Sequence, residues 1–556
     1  PKDQNKIKIT GLEIDSKKVK KGNIFFAIKG NKINGEKYIN EAIKKGAAAI
    51  VCSKKCKYKN KSLPVIKTSD IRNILSKISS KFYKLKPKNI IAVTGTNGKT
   101  SVADLFYQIL SFNKIPVASI GTLGVKFKKK IIKTNLTSPD TILLHKSLEM
   151  IKKKNIENVI IETSSHGLHQ KRINHLNLKA GIFTNFSQDH LDYHKTMHFY
   201  LKSKLYLFSK ILSKKKTVIS DSSIKEFSIL KKISKKKQLN LINLKDTKEK
   251  FYKVKNLNLN SFQKKNLAMA IAAAKLCKVK EKKILNSLKK IKDVNGRLEL
   301  VRNFPNNIKI YVDFAHTPDA LLKTLNELKN THGENISLVF GCGGDRDFKK
   351  RPLMAKIASD NCNKIYVTDD NPRNESPEKI RKQIANKIKN KNCYNIGNRK
   401  AAIKTSILNA DSNEIILVAG KGHEDEQIYK NKIIKTSDKK IIKNLKIKLK
   451  KISNKNQNFK QNQNILNSIY KRKKLKNFHG IAIDTRLIKK DNLFLTIKGK
   501  NHDGKNFITK ALKKGAKYII SSKNNVNHNK KIIKVVNELK FLNTFALKKR
   551  NSSRAT

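Results

Sequence analysis

The sequence predicts an α/β protein built on mostly parallel sheets, with one small domain present twice. Three observations carry that expectation. Apolar segments of strand length alternate with amphipathic helical stretches along most of the chain. A glycine turn with the sequence TGTNGKT, at 94–100, lies between a buried-strand pattern and a helix. Residues 12–52 recur at 481–521 without a gap, at an offset of 469, with 17 of 41 positions identical.

Taken in order, each copy of the repeat predicts a strand, a glycine turn, an amphipathic helix closing at a glycine (Gly46, Gly515) and a further strand. KNIIAVTGTNGKTSVADLFYQIL at 88–110 predicts strand, loop and helix. Further strands are expected at 158–162, 180–185, 308–314, 336–341, 364–370 and 414–420, separated by helical stretches. Residues 211–260 are Lys-rich and hard to place, and 441–476, rich in Lys and Asn, reads as a linker.

A chain of 556 residues suggests three or four domains. No run of 18 apolar residues occurs, so no membrane span is expected. The stretch 1–11 has no apolar h-region, so no signal peptide is expected, and without an initiator Met residues are expected to be missing in front. The six cysteines form no CxxC pair, which argues against zinc and for a reduced, cytoplasmic setting. The net charge of +83 would suit a nucleic-acid binder, and that remains the alternative from a different class. The charge is nearly all Lys, however, with only 13 Arg, and Asn and Ile are abundant too, as drift towards AT-rich codons produces. No RGG tract, aromatic–basic alternation or recognition-helix pattern appears, so no nucleic-acid partner is expected. Arg172, Arg297, Arg346 and Arg373 are more telling, because a planar fork on a carboxylate or phosphate cannot be replaced by Lys.

The turn at 94–100 has the parts of a phosphate-binding loop. Gly95 and Gly98 let backbone N–H groups around Thr96, Asn97 and Ser101 converge on phosphate oxygens. Lys99 supplies charge for the terminal phosphates, the Thr100 hydroxyl can bind Mg²⁺, and the helix N-terminus adds its dipole. The loop is shorter than GxxxxGK[ST]. Glu162 ends one strand and His190 follows another, which puts a carboxylate and an imidazole at the ligand-binding edge of a parallel sheet. With the loop they make a candidate Mg²⁺ shell.

From about residue 10 to 440 the chain resembles the Mur ligases, and within them the MurE group. GTNGKT, ETSSHGL, TNFSQDHLDYH, VNGRLE, VDFAHTPD, GCGGDRD, DNPR and AGKGHED occur in that family's order. Residues 478–556 resemble the N-terminal domain of the MurF group. The resemblance implies three domains: a UDP-substrate-binding α/β domain over 1–86, a central phosphate-loop ATPase over 87–300, and a Rossmann-like domain binding the amino acid over 301–445. A linker at 446–476 and a truncated second copy of the N-terminal type at 477–556 would follow. It implies ATP- and Mg²⁺-dependent addition of meso-2,6-diaminopimelate to the D-Glu of UDP-N-acetylmuramoyl-L-Ala-D-Glu, through an acyl phosphate. It also implies MurF-type activity for a full-length gene product.

The same resemblance assigns residues. Lys99, Glu162, His190 and Lys204 would be catalytic, with Thr100, Glu162, His190 and Lys204 at the metal, Lys204 as N6-carboxylysine. Gly95, Thr96, Asn97, Gly98, Lys99, Thr100, Ser101, Asn266, Arg297 and Asp313 would contact ATP. Ser16, the turn from Gly30 to Gly35, Thr137, Ser138, Ser165, Gln170 and Arg172 would hold the UDP-linked peptide. Arg346, Asp370, Asn371, Pro372, Arg373, Gly420 and Glu424 would hold diaminopimelate. Three positions depart from the family's pattern: Lys17 after Ser16, Gln263 before the Asn266 region, and Phe314 after Asp313. Arg297 and Asp313 could equally form an interdomain ion pair. An L-lysine-adding enzyme and a folylpolyglutamate-synthetase-like ligase are the nearer alternatives. DNPR and the N-terminal domain argue against the latter.

Overall fold

The structure, a computed structural model, describes residues 8–445 apart from 31–32, 61–62, 129, 135, 248–260 and 390–391, and residues 463–552 apart from 470–477, 479, 500–501 and 523–530. Most of the 446–476 linker and the last quarter of 211–260 thus lie outside the described residues. The chain forms two compact units, 1–446 and 447–556.

The first unit opens on four parallel strands in chain order, Gly11–Glu13, Asn23–Phe26, Ala49–Ser53 and Val65–Thr68. Strand side chains alternate, so Phe25, Ile50 and Cys52 fill one face, while Ile24, Phe26 and Val51 fill the other. The helix Ile71–Phe82 covers the second face through Leu75. Its cap is Asp70, whose Oδ1 accepts the Asn73 N–H at 3.0 Å, a contact typically worth about 1 kcal/mol. The polar side of this helix ties it to the next domain. Arg72 donates to Gln170 at 3.4 Å, Ser76 to the Asn174 carbonyl at 2.6 Å and Ser80 to the His175 carbonyl at 3.1 Å.

The central sheet has eight strands, and the strand leading into the glycine turn, Asn89–Thr94, lies inside it. Its residues are apolar in succession because helices cover both faces: Ile91 and Val93 pack on the side of the helix Lys99–Phe112, Ile90 and Ala92 on the other. At one end of the sheet Gly124–Phe127 pairs antiparallel with both its neighbours, Val117–Gly121 and the edge strand Lys130–Ile132; the rest of the pairings are parallel. Within 211–260 the structure finds a strand (Thr217–Ser220), a helix (Phe227–Lys237) and a strand (Asn240–Asn243). Surface Lys residues had masked their apolar periods.

The third domain is a six-stranded sheet, parallel but for the edge strand Glu299–Phe304. Its observed strands Ile308–Asp313, Ile336–Phe340, Lys364–Val367 and Ile415–Ala419 stop one to three residues short of the expected ends, where the chain leaves the ladder for the site loops.

The second unit also has four parallel strands in chain order, Ile481–Ala482, Leu493–Leu495, Tyr518–Ser521 and Ile532–Lys534. Its turns, like those of the first sheet, are capped by Asp484 and Asp503, where the first has Asp15 and Asn34. Residues 463–469, inside the expected linker, are helical. Ile465 and Leu466 there enter the same core as Phe541 and Phe545 of the helix Glu538–Ser552, so apolar burial overrides the local polar composition.

Candidate active site

The turn after Thr94 sits between two other strand ends. Asn158–Glu162 flanks Asn89–Thr94 on one side and Ala180–Phe183 on the other, so the strands carrying Glu162 and leading to His190 are separated by the glycine-loop strand. Gly98 has a left-handed φ of +86°, and a Cβ there would stand 2.5 Å from Asn266 Oδ1. The helix Lys99–Phe112 starts at once, presenting its first amides to the turn. The Lys99 ammonium lies across the loop, donating to the carbonyls of Gly95 (2.9 Å) and Thr96 (2.8 Å).

Glu162 is 2% exposed and takes three donors: Thr100 Oγ1 at 2.9 Å, Thr122 Oγ1 at 3.0 Å and the Thr122 N–H at 3.0 Å. Burial pushes its carboxyl above the ordinary carboxylate range, against the pull of Thr100, Lys99 and Arg297. Arg297 donates to Thr100 Oγ1 at 3.1 Å while its guanidinium stacks 4.2 Å from the Phe314 ring. Asp313 accepts the N–H groups of Leu298 (2.5 Å) and Ala315 (2.6 Å), and burial raises its pKa to about 6. It thus binds backbone amides, and the charge of Arg297 pulls its pKa down against burial.

His190 adopts a left-handed φ of +56° just before the short helix Leu191–His194. Burial holds its imidazole well below its usual pKa. Its Nε2 lies 3.2 Å from Asp189, which also meets His316 at 3.5 Å and Lys350 at 3.9 Å. Burial alone would raise the Asp189 pKa; His190, Lys350 and His316 outweigh it and hold the carboxylate charged. Lys204, 1% exposed, donates to the same Gly95 carbonyl as Lys99, at 2.7 Å, with its nitrogen 4.6 Å from the Tyr200 ring centre. Burial, then the neighbouring Lys99 charge, drive its pKa well below the ordinary ammonium value.

The third domain supplies the opposite wall. Asn97 donates to Asp319 at 3.1 Å and Gln188 to Asp347 at 3.2 Å across the boundary. Arg373, with a left-handed φ of +54°, donates to the Gly344 carbonyl at 2.9 Å. Asn371 donates to Glu424 at 2.9 Å, and Lys421 lies beneath both, fully buried.

A cleft of about 460 Å³ unites Thr96, Asn97, Gly98, Lys99, Thr100, Ser101, Thr137, Ser138, Arg172, His190, Asn266, Arg297, Asp313, Arg346, Asp370, Asn371, Arg373, Gly420 and Glu424. Glu162 and Lys204 lie behind its wall, bonded to Thr100 and Gly95. Gln170 lines an adjoining cavity of about 600 Å³ with Arg346 and Arg373, and accepts from Arg172 at 2.8 Å. Ser165 is buried and lines neither cavity, its hydroxyl without a protein partner. Pro372 shapes the turn through its carbonyl against Gly344. Ser16 is not among the residues lining either cavity: its hydroxyl donates to Glu41 at 2.8 Å, and Asn31 and Lys32 of the nearby turn lie outside the described residues. Sequence reasoning missed Thr122, His316, Lys350 and Lys421. Lys350 is a single Lys among very many; His316 and Lys421 lay within quoted motifs and could have been found.

Comparison with known proteins follows this geometry. Residues 93–289 match the Mur ligase middle domain, 296–422 the Mur ligase glutamate ligase domain, and both 8–83 and 477–550 the domain described as Mur ligase family, catalytic domain. The chain is 40% identical over 462 residues to the UDP-N-acetylmuramoyl-L-alanyl-D-glutamate–2,6-diaminopimelate ligase of Rickettsia bellii, covering 78% of this chain and 95% of that protein. It is 35% identical over 462 residues to the enzyme of the same name from Brucella melitensis, covering 79% and 94%. A solved structure with that enzyme name aligns with a TM-score of 0.54 at 28% identity, covering 78% of this chain and 94% of the other. A bifunctional folylpolyglutamate synthase/dihydrofolate synthase from Yersinia pestis, complexed with AMPPNP and Mn, shares the fold at a TM-score of 0.53 and 16% identity, covering 64% and 92%.

Proposed function

The chain belongs to the Mur ligase family, and from that premise we propose that it adds meso-2,6-diaminopimelate to UDP-N-acetylmuramoyl-L-Ala-D-Glu, with ATP cleaved to ADP and phosphate. The observation that carries this reading is the single cleft joining Lys99 and Thr100 to Asn371, Arg373 and Glu424. In it the D-Glu carboxylate attacks the terminal phosphoryl group of ATP, giving an acyl phosphate and ADP. The amine of diaminopimelate then attacks the acyl carbon, phosphate leaves, and the ammonium proton is lost. Such chemistry needs positioning and charge neutralisation more than proton transfer.

Lys99 and the first amides of its helix neutralise the terminal phosphates. Arg172 and Ser138 orient the muramoyl peptide, and Asn266, Arg297 and Asp313 hold the nucleotide. Arg346 and Arg373 offer forks to the carboxylates of the incoming amino acid, while Glu424 takes an ammonium.

Thr100, Glu162, His190 and Lys204 would hold divalent metal, for which we favour Mg²⁺; bound there, it would neutralise phosphate charge. The fit rests on Glu162, a buried carboxylate aimed at the Thr100 hydroxyl. Among the described residues no three His, Cys, Asp or Glu side chains make a ready metal cluster. Mg²⁺ commonly uses one or two carboxylates with phosphate and water oxygens. Two ammonium groups on one carbonyl favour an uncharged Lys204, the form that takes up CO₂ to become N6-carboxylysine.

Among the described residues no helix is long and apolar enough to cross a membrane. We assign the reaction to the cytoplasm. Residues 477–556 we read as a second domain of the N-terminal type, resembling that of MurF. Support comes from the family match at both 8–83 and 477–550 and from the shared strand order. The test is ADP release that requires both the UDP-linked dipeptide and meso-diaminopimelate. Equal turnover with L-lysine would replace the amino-acid assignment.

A further inference from the structure

We propose that Lys421 is a positioning residue for the incoming amino acid, an inference that rests on the amino-acid pocket proposed above. Its side chain is 0% exposed, and its ammonium donates to Asn371 Oδ1 at 3.1 Å, Glu424 Oε2 at 3.0 Å and the Glu426 carbonyl at 2.6 Å. Three protons meet three acceptors, so the buried charge is fully satisfied. Asn371 Oδ1 also accepts the Ile428 N–H at 2.9 Å. Lys421 and a backbone N–H can only donate, so they fix the amide with its oxygen inward and its NH₂ toward Glu424, where it donates at 2.9 Å. The ring closes on itself: Lys421, Asn371 and Glu424 each bond the other two. Glu424 Oε2 is thereby occupied twice, which leaves Oε1 for a ligand ammonium, and one Asn371 proton stays free for a ligand carboxylate.

The order of elements explains why a Lys serves here. Lys421 follows the strand Ile415–Ala419 through Gly420, whose φ of +109° turns the chain under the pocket. A shorter cation would not span Asn371 and the Glu426 carbonyl. Lys421 contacts neither cleft nor ligand space, so its effect passes through Asn371 and Glu424.

Steady-state kinetics of the full chain test this. Lys421→Met keeps length and removes the donor. The expected result is a KM for meso-diaminopimelate raised about 10-fold or more, as for loss of a charged hydrogen bond. The KM for ATP should stay near wild type. An unchanged diaminopimelate KM, or an ATP KM raised in the same proportion, would overturn the proposal. Lys421→Arg, which keeps the buried charge but not the lysine's reach and geometry, supplies a second measurement of the diaminopimelate KM should Lys421→Met fold poorly; Glu424→Gln and the double variant complete a cycle. If the three residues act as a unit, the double variant is little worse than the weaker single one; multiplicative losses would count against the ring. Wild-type chain that releases no ADP with meso-diaminopimelate would instead sink the pocket assignment itself.

Discussion

Two regions of this molecule share a scaffold and differ in what their last helix faces. Both sheets have four parallel strands in chain order. Counted from their capping residues Asp70 and Asn537, the helices Ile71–Phe82 and Glu538–Ser552 align, so Arg72, Ser76 and Ser80 have Leu539, Asn543 and Leu547 as counterparts. In the first copy those side chains hydrogen-bond residues 170–175 beside the cleft. In the second, Leu539 and Leu547 are 53% and 57% exposed. The difference teaches that one strand order can carry opposite helix faces, polar contacts to residues 170–175 in the first region and exposed leucines in the second.

The strongest challenge to this contrast is to separate the regions. Lys99→Ala should lower ADP release by about 1000-fold, the scale on which a phosphate-neutralising cation acts, whereas truncation after Lys446 should leave kcat/KM unchanged. Loss of turnover on truncation would show that the second copy takes part in catalysis.

Acid should also tell them apart. His145 lies on the helix Thr141–Lys153, which packs against the first copy's helix; the ring is 0% exposed with both nitrogens unpaired. Burial, then Lys86 and His175, lower its pKa to about 3. Folded protein therefore binds fewer protons than unfolded protein below pH 6.5. The stability this neutral ring contributes is complete above that value and is lost as pH falls towards 3, about 2 kcal/mol by pH 5. Denaturant melts from pH 7 to 5 should show the loss in the 1–446 transition, and His145→Leu should flatten it.

A substitution that makes the first copy resemble the second sharpens the comparison further. Arg72→Leu should raise KM for the UDP-linked dipeptide about 10-fold, and Leu539→Arg should leave it unchanged in steady-state assays. The smallest effect is expected at the caps. Asn537→Ala should cost the second unit about 1 kcal/mol in calorimetry. Asp70→Ala should cost the first unit more, because Asp70 also pairs with Lys171.

Much of this was legible in the sequence because backbone geometry leaves periodic marks. Gly98 had to be glycine at a positive φ, and residues 90–93 had to be apolar in succession between two covered faces. The motif residues Lys99, Thr100, Asn371 and Arg373 did converge on one cleft. What stayed illegible depends on tertiary approach. Nothing local marks Thr122 as a donor to Glu162, or Lys350 as the partner of Asp189. Nor could period-2 or period-3.6 patterning reveal that the strand of Glu162 and the strand before His190 sit on opposite sides of the glycine-loop strand.

Arg399 shows what a planar cation does that the surrounding lysines cannot. Its Nε and Nη2 grip both oxygens of Asp438 at 2.8 Å; Nη2 also donates to the Ala419 carbonyl at 2.9 Å and Nη1 to the Asp369 carbonyl at 3.4 Å, one residue before Gly420 and Asp370. A lysine would keep the charge but lose the four-point span. Without that span the turns carrying Asp370 and Gly420 would lose their common anchor, so a single guanidinium limits how far two walls of the cleft can drift apart.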